Sequence, residues 1–303
     1  MTGILKVGTR GSRLARWQAE WVCRELGRHG VRTEIVVIVT RGDAEVDRPL
    51  HELEGKGFFT KEIERALLEG RIDVAVHSLK DLPTTLPDGL ALGAVPERAD
   101  PSEVLVARDA RVTSLAQLAP GARIGTSSLR RVAQVRYLRA DLEVVPLRGN
   151  VPTRVEKVKG SGNWGLDAAL LAWAGLERLG LAPEIAAKLD ALEVMPAPGQ
   201  GTLGLEVRAD DRAVWDALRP LEHPASARQV AAERMLIAVL WGGCQAPVAA
   251  YVGMGRLFGR VTAQDGSVQL TASADLDERD PAAAGLAVAR LLNEEGAQKL
   301  LRR

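Results

Sequence analysis

The sequence predicts an α/β protein, with two α/β domains in series and a small C-terminal α+β domain. Short apolar segments alternate with amphipathic helical segments from residue 5 to 76, and the alternation begins again at residue 123. Beyond Pro220 the order changes to a long helix, several alternating strands and a last helix, which is typical of an α+β domain. With 303 residues, 46% of them hydrophobic, the chain is long enough to bury a sizeable core without a metal or disulfide.

The first α/β part begins with a strand at Leu5 to Gly8, and Ser12 is placed to cap the helix that follows. Glycines after residue 26 end this helix. The β-branched run from Thr33 to Thr40 predicts a buried parallel strand. A helix at 61–69 and a strand at 73–76 complete this part.

The second α/β part repeats the alternation. We expect a strand at 123–125, a helix capped by Ser127 or Ser128, a strand at 143–147, a helix capped by Asn150 and a strand at 168–172. The turn-rich segment 195–201 then precedes a strand at 202–207, which indicates that the chain crosses back to the first α/β part. For the part beyond Pro220 we expect a helix at 225–240, strands near 247–253, 256–262 and 268–275, and a helix at 282–295. No internal sequence repeat is visible.

Composition narrows the function classes. The net charge of +1 provides no global field for nucleic acid or an anionic membrane. No apolar run is long enough to span a bilayer and the N-terminus lacks the pattern of a secretory leader, so we expect a cytoplasmic protein. In a reducing compartment Cys23 and Cys244 are expected to be thiols, and Cys23 lies among core positions of a helix. The four histidines show no metal-ligand spacing, and we predict no metal.

Two junctions between a strand and a helix are candidate anion sites, because free N–H groups and the helix dipole favour negative charge there. The first is Thr9-Arg10-Gly11-Ser12. The second is the segment 125–131, where Ser128 is followed by Arg130 and Arg131. Two adjacent arginines oppose the dipole by about 0.3–1 kcal/mol each, so a bound anion explains them better than chance does. A basic wall would be enlarged by later arginines of the same part, namely Arg148, Arg154 and Arg178.

Three further segments carry candidate chemistry. Lys80 and Asp81 follow a buried strand, and Pro83 holds the segment extended, which fixes Asp81 where ligands bind in open α/β sheets. His77 beside them is expected to be a hydrogen-bonded core residue. Cys244 stands after two glycines that leave a thiol unshielded, which suits covalent attachment. The glycine- and lysine-containing loop from residue 41 to 61 is a hypothetical lid over an anionic ligand.

Four motifs resemble the porphobilinogen deaminase family in order and spacing over nearly the whole chain: VHSLKDLPT at 76–84, GTSSLRR at 125–131, LRGNVPTR at 147–154 and GGCQAP at 242–247. The resemblance implies two periplasmic-binding-protein-like α/β domains flanking a cleft, plus a small C-terminal α+β domain. It implies residues 1–98 and 197–217 for the first domain, 99–196 for the second and 218–303 for the third.

The resemblance also implies the chemistry. A dipyrromethane cofactor would be attached to Cys244 through a thioether, and Asp81 would be the catalytic carboxylate. Four porphobilinogen units would be added with loss of ammonia, after which hydrolysis releases the linear tetrapyrrole hydroxymethylbilane. We expect Asp81 to stabilise positive charge on the pyrrole from a water-poor crevice. The expected cofactor ligands are Lys80, Ser128, Arg130, Arg131 and Arg148, and the expected substrate ligands are Arg10, Ser12, Arg148, Arg154 and Arg178.

Two other classes of function remain open from the residues alone. A non-enzymatic cytosolic carboxylate-binding module of periplasmic-binding-protein type would use the same anion cleft. A thiol hydrolase would use Cys244 with His77 or His223. For the enzyme we expect a monomer that acts on the small molecule porphobilinogen and has no nucleic acid or membrane partner.

Overall fold

The computed structural model describes residues 3–40, 60–162, 164–240 and 246–301. The chain divides into two compact units, the first formed by Met1–Ala99 and Thr202–Arg228 and the second by Asp100–Gly201 and Gln229–Arg303. Within the described residues the strands form two five-stranded sheets and one three-stranded sheet. No helix of these residues is long and apolar enough to cross a membrane.

The elements are numbered here in chain order. The strands are β1 (Leu5–Arg10), β2 (Thr33–Ile38), β3 (Val74–Ser78), β4 (Leu90–Ala94), β5 (Glu103–Ala107), β6 (Arg123–Gly125), β7 (Glu143–Val145), β8 (Ala168–Ala172), β9 (Ala187–Lys188), β10 (Leu203–Arg208), β11 (Val248–Gly253), β12 (Arg256–Thr262) and β13 (Gln269–Asp275). The helices are α1 (Arg13–Arg28), α2 (Lys61–Leu68), α3 (Leu129–Leu138), α4 (Val151–Lys159), α5 (Trp173–Arg178), α6 (Arg212–Leu218), α7 (Pro224–Leu240), α8 (Pro281–Glu294) and α9 (Ala297–Leu301).

The sheet of the first unit has the order β2-β1-β3-β10-β4. β1 runs parallel to both β2 and β3, whereas β10 runs antiparallel to β3 and β4. The return crossing predicted after residue 201 is therefore confirmed, because β10 lies in this sheet. β2 differs from the prediction of a buried strand. It is an edge strand, and of its six residues only Ile38 is buried.

The sheet of the second unit has the order β7-β6-β8-β5-β9. β6 runs parallel to β7 and β8, and β5 runs antiparallel to β8 and β9. This is the same pattern of order and direction as in the first unit. The likeness extends to one hydrogen bond, since Leu79 N donates to Thr202 O and Trp173 N donates to Ser102 O, both at 3.0 Å. The two sheets thus share an architecture that no sequence repeat reveals.

The C-terminal part of the second unit is an antiparallel sheet in the order β11-β12-β13, covered by helices. Its core contains the fully buried Leu236 of α7, Val261 of β12, and Val288 and Leu292 of α8. The predicted α+β character of this part is confirmed, as is the α/β character of the two larger sheets. The strands β4, β5 and β9 and the short helices α5, α6 and α9 were not predicted.

Candidate active site

The carboxyl ends of β1 and β3 lie at the same edge of the first sheet, because these neighbouring strands are parallel. β1 ends at Arg10, which is half-buried, and Ser12 then caps α1 by accepting a hydrogen bond from Ala15 N at 3.3 Å. The first turn of α1, which begins at Arg13, contains no acidic residue. The positive end of this helix therefore keeps its attraction for an anion.

Asp81 ends a single 3-10 turn, Leu79–Asp81, that follows β3 directly. Leu79 is buried and anchors the turn, and Leu82 N donates to Leu79 O at 3.1 Å. Asp81 itself is exposed, and Lys80 is half-buried. The turn thus presents the carboxylate to solvent in the part of the chain that the structure describes, and the water-poor crevice around Asp81 stays a prediction.

Buried polar contacts hold the end of β3 in place. Gln18 of α1 donates from Nε2 to Ser78 Oγ at 2.8 Å, which ties the helix to the strand. His77 is buried, and its Nε2 lies 3.0 Å from Oε2 of Glu206, a fully buried residue of β10. His77 is the hydrogen-bonded core residue that we expected, and its contact with Glu206 does not favour the role of a base for Cys244.

The second unit brings the carboxyl ends of β6, β7 and β8 to one edge in the same way. Ser127 joins the first two of these ends, because its Oγ donates to Leu147 O at 3.0 Å and accepts from Leu147 N at 3.1 Å. Ser128 is the N-cap of α3, yet its side chain makes no capping hydrogen bond within the described structure. Ser12 and Ser128 therefore occupy similar corners, but only the hydroxyl of Ser12 is used by its own helix.

Arg130 and Arg131 are both 5% exposed and share one carboxylate, that of Glu103. Arg130 NH2 donates to Glu103 Oε1 at 2.6 Å, and Arg131 Nε donates to Oε2 at 2.9 Å. Arg130 also donates to Met195 O at 2.6 Å, and Arg131 donates to Leu170 O at 3.1 Å. Burial lowers the pKa of Arg130, and Glu103 opposes that shift. Our reason for expecting a bound anion is thus corrected, since the protein supplies the nearest counter-charge itself.

Arg148 follows β7 and is the least satisfied of the predicted arginines. Its NH1 atom is buried and has no hydrogen-bond partner among the residues described. A buried donor without a partner costs about 1–3 kcal/mol, more when it is charged, so such an atom calls for a ligand. Its own carbonyl accepts a hydrogen bond from Lys157 Nζ at 3.1 Å.

The remaining two arginines contact backbone carbonyls of the second unit. Arg154 Nε donates to Gly149 O at 2.8 Å, and Arg178 NH2 donates to Gly201 O at 2.7 Å. Burial lowers the pKa of Arg178 to about 10, and Glu177 partly offsets this. Arg178 therefore stays charged at neutral pH.

Of the two cysteines, the structure describes only Cys23. Cys244 lies outside the described residues, as does most of the predicted lid, residues 41–59. Cys23 is a half-buried thiol that packs against the core of the first unit, as we expected, and burial raises its pKa. Within the described ranges no group of three or more His, Cys, Asp or Glu residues is placed to hold a metal ion.

Sequence reasoning missed Glu103 and Gln200. Both are fully buried, and Gln200 Nε2 donates to Glu103 Oε1 at 3.2 Å and to Pro101 O at 2.7 Å. A charged residue that opens an otherwise apolar run, EVLVA at 103–107, was the available signal. A buried carboxylate at the head of a strand requires a buried cation.

The chain matches two family models, described as porphobilinogen deaminase, dipyromethane cofactor binding domain, over residues 5–216, and porphobilinogen deaminase, C-terminal domain, over residues 227–294. It is 46% identical to a porphobilinogen deaminase of Moorella thermoacetica, covering 98% of this chain and 95% of that one. It is 45% identical to one of Geobacter metallireducens (98% and 93%), and 48% identical to one of Pelobacter propionicus (86% and 84%).

Solved structures similar to the chain include a periplasmic substrate-binding protein of an ABC transporter from Coxiella burnetii, with 16% identity and a TM-score of 0.44 over 75% of this chain and 95% of that one. A methionine-binding protein has 14% identity and the same TM-score, over 75% and 94%. These distant likenesses have no bearing on activity. The family models and the relatives together show that the chain belongs to the porphobilinogen deaminase family.

Proposed function

We propose that this chain performs the porphobilinogen deaminase reaction with Asp81 as its catalytic carboxylate and with arginines of both units as ligands for carboxylates. As a member of the family it is a transferase of tetrapyrrole biosynthesis, a hydroxymethylbilane synthase with a dipyrromethane cofactor. The observation that carries the assignment of the anion site is the buried, partnerless NH1 of Arg148. The non-enzymatic binding module and the thiol hydrolase are not favoured.

The residues of the second unit fit a cofactor that carries several carboxylates. Arg148 offers a buried donor, Ser128 offers a hydroxyl that its helix does not use, and neither α3 nor α4 has an acidic residue in its first turn as described. We assign Lys80, Ser128, Arg130, Arg131 and Arg148 to hold the dipyrromethane, and Cys244 to bear it through a thioether. When bound, that group would supply the pyrrole carbon at which the first new unit is joined, and each later unit would be joined to the ring added before it.

Substrate recognition is assigned to Arg10, Ser12, Arg148, Arg154 and Arg178. Porphobilinogen carries an acetate and a propionate, and a planar guanidinium binds a carboxylate with two parallel hydrogen bonds. One such charge pair at close contact is worth about 4 kcal/mol at an effective dielectric constant near 20. Arg178 remains cationic at neutral pH even though burial lowers its pKa to about 10.

Asp81 is assigned to the reacting ring. Its carboxylate accepts a hydrogen bond from the pyrrole N–H and stabilises the positive charge that develops as the substrate loses ammonia. It then takes up the proton that is released when the new carbon–carbon bond forms. The buried Leu79 and the bond from Leu82 N to Leu79 O fix the backbone of the turn that carries it, while the carboxylate remains accessible.

The wider organisation remains part of the proposal. We assign residues 1–98 with 197–217, 99–196 and 218–303 to three domains, and the separate core of the C-terminal sheet supports the third of them. A net charge of +1 gives no reason to expect a nucleic acid partner. We propose a monomer that works in the cytoplasm on a small-molecule substrate.

Intact-protein mass tests the covalent assignment. The chain purified from an expressing cell should carry the mass of two pyrrole units, and Cys244→Ser should lack it. Cys23→Ser is the matched control and should keep the added mass, because that thiol packs against a core. A wild-type chain without the adduct, or an adduct retained in Cys244→Ser, contradicts the proposal.

Turnover tests Asp81. Asp81→Ala should lose at least about a hundredfold in kcat, in the range expected when a general acid–base group is removed, while the cofactor mass stays in place. Asp88→Ala is its control, because Asp88 is an exposed carboxylate of the same loop region and has no assigned role. Equal activity of the two variants would show that Asp81 is not the catalytic group.

A further inference from the structure

Glu103 is a buried carboxylate to which the known reaction assigns no role. It opens β5 and is 0% exposed. Its Oε1 accepts from Arg130 NH2 at 2.6 Å and from Gln200 Nε2 at 3.2 Å, and its Oε2 lies 2.7 Å from Arg131 NH2. One side chain therefore contacts both arginines of α3 and a residue of the turn-rich segment that precedes β10.

The charges of this cluster do not cancel. Two buried guanidinium groups face one carboxylate, which leaves one surplus positive charge among the described side chains of the cluster. A cluster that served only to stabilise the fold would be expected to balance its charges, since an uncompensated buried ion is costly. The surplus lies at the start of α3, where the dipole is also positive and the hydroxyl of Ser128 makes no capping bond in the structure described.

We propose that Glu103 is a positioning residue that fixes the guanidinium planes of Arg130 and Arg131 and limits the net charge of the pair to +1. This inference rests on the proposed function, in which the pair binds carboxylates. With Glu103 in place, each guanidinium is held by that carboxylate and by one backbone carbonyl, and these two contacts fix its orientation. The limited charge lets the pair hold a carboxylate without binding every anion tightly, which a chain-lengthening enzyme needs if its product is to leave.

The test separates charge from position. Glu103→Gln removes the negative charge and raises the net charge of the pair to +2. We expect inhibition by succinate, the dicarboxylate used as a probe, to strengthen about tenfold, since one added charge near the site is worth at least that factor. We expect kcat with porphobilinogen to fall at least about tenfold, because small displacements of binding groups reduce rates sharply. A purely structural role would not tighten the binding of an anion.

Two further variants complete the design. Glu143→Gln is the matched control, since Glu143 lies in β7 of the same sheet and pairs with the partly exposed Arg123 at 3.3 Å. It should leave both constants unchanged. Gln200→Met keeps the charge but removes one contact that orients Glu103, so kcat should fall about fivefold while the succinate constant stays within twofold. If Glu103→Gln does not fold, Gln200→Met still tests whether the orientation of Glu103 affects kcat.

The failures are distinguishable. If wild-type protein carries no dipyrromethane and does not turn over porphobilinogen, the proposed function fails. If wild type is active and Glu103→Gln matches Glu143→Gln in both constants, only the role of Glu103 is overturned. Gln200→Met with an unchanged kcat overturns the positioning part.

Discussion

Replacing Arg260 by methionine should destabilise the second unit strongly, although Arg260 belongs to no proposed site. This side chain of β12 is 6% exposed and donates to Gln134 Oε1 at 3.0 Å, Glu193 O at 3.0 Å, Leu192 O at 2.7 Å and Thr271 Oγ1 at 3.1 Å. Four charge-assisted bonds at about 1.5 kcal/mol each give about 6 kcal/mol. Part of this is offset by the cost of burying the charge, which also lowers the pKa of Arg260. We therefore expect a net loss of about 3–5 kcal/mol.

Urea unfolding followed by circular dichroism measures this loss as a lower midpoint. Arg256→Met is the matched control on the same strand, because Arg256 is partly exposed and its ion pair with Asp275 is worth at most about 1 kcal/mol. The two variants remove the same charge and add the same side chain, so their difference reports burial and hydrogen bonding. Equal midpoints for both would refute the view that Arg260 joins the C-terminal sheet to α3.

Two other predictions concern single residues. Arg148→Met should weaken substrate binding by about tenfold or more. It should also raise the free energy of unfolding by about 1 kcal/mol, because it removes a buried donor that has no partner among the described residues. Kinetics and urea unfolding measure the two effects, and a loss of stability would contradict the account of NH1. Burial raises the pKa of Glu64 above 4.5, so the folded chain holds that proton longer than the unfolded chain and loses stability as the pH rises through the folded value. The stability of Glu64→Gln relative to wild type should therefore increase when the pH is raised from about 5 to about 8. The stability of Glu69→Gln relative to wild type should not, because Arg71 and Arg65 lower the pKa of the Glu69 carboxyl. An advantage of Glu64→Gln that is the same at both pH values would count against the burial of its charge.

The helix starts could be predicted because their signals are local. Ser12, Ser128 and Asn150 were each placed at or beside the cap that the structure shows, and Pro152 lies in the first turn of its helix as expected. Such signals depend on a side chain and the next three residues. The candidate residues at these caps could be found for the same reason.

The centre of each sheet could not be predicted in this way. β5 pairs with β8, whose residues lie more than 60 positions later, and the direction of pairing is set by packing of the whole sheet. The role of Glu103 depends on that pairing, because only the placement of β5 beside β8 brings its carboxylate to α3. The sequence marks Glu103 as a charge at the head of an apolar run, but it does not show that Arg130 and Arg131 are its partners, so a bound anion was inferred as their counter-charge.

The shared architecture of the two sheets gives a reason for our assigning the catalytic carboxylate to only one of them. Leu79 and Trp173 occupy the same place after β3 and β8, each donating its N–H to the neighbouring antiparallel strand. In the first unit the chain makes one 3-10 turn that ends before Pro83, and Asp81 is left exposed. In the second unit the chain continues into α5, and the residue in the place of Asp81 is the buried Gly175. A carboxylate there would lose its hydration with no cation assigned to it, a cost of several kcal/mol, so the same scaffold can display an acid only where the turn is cut short.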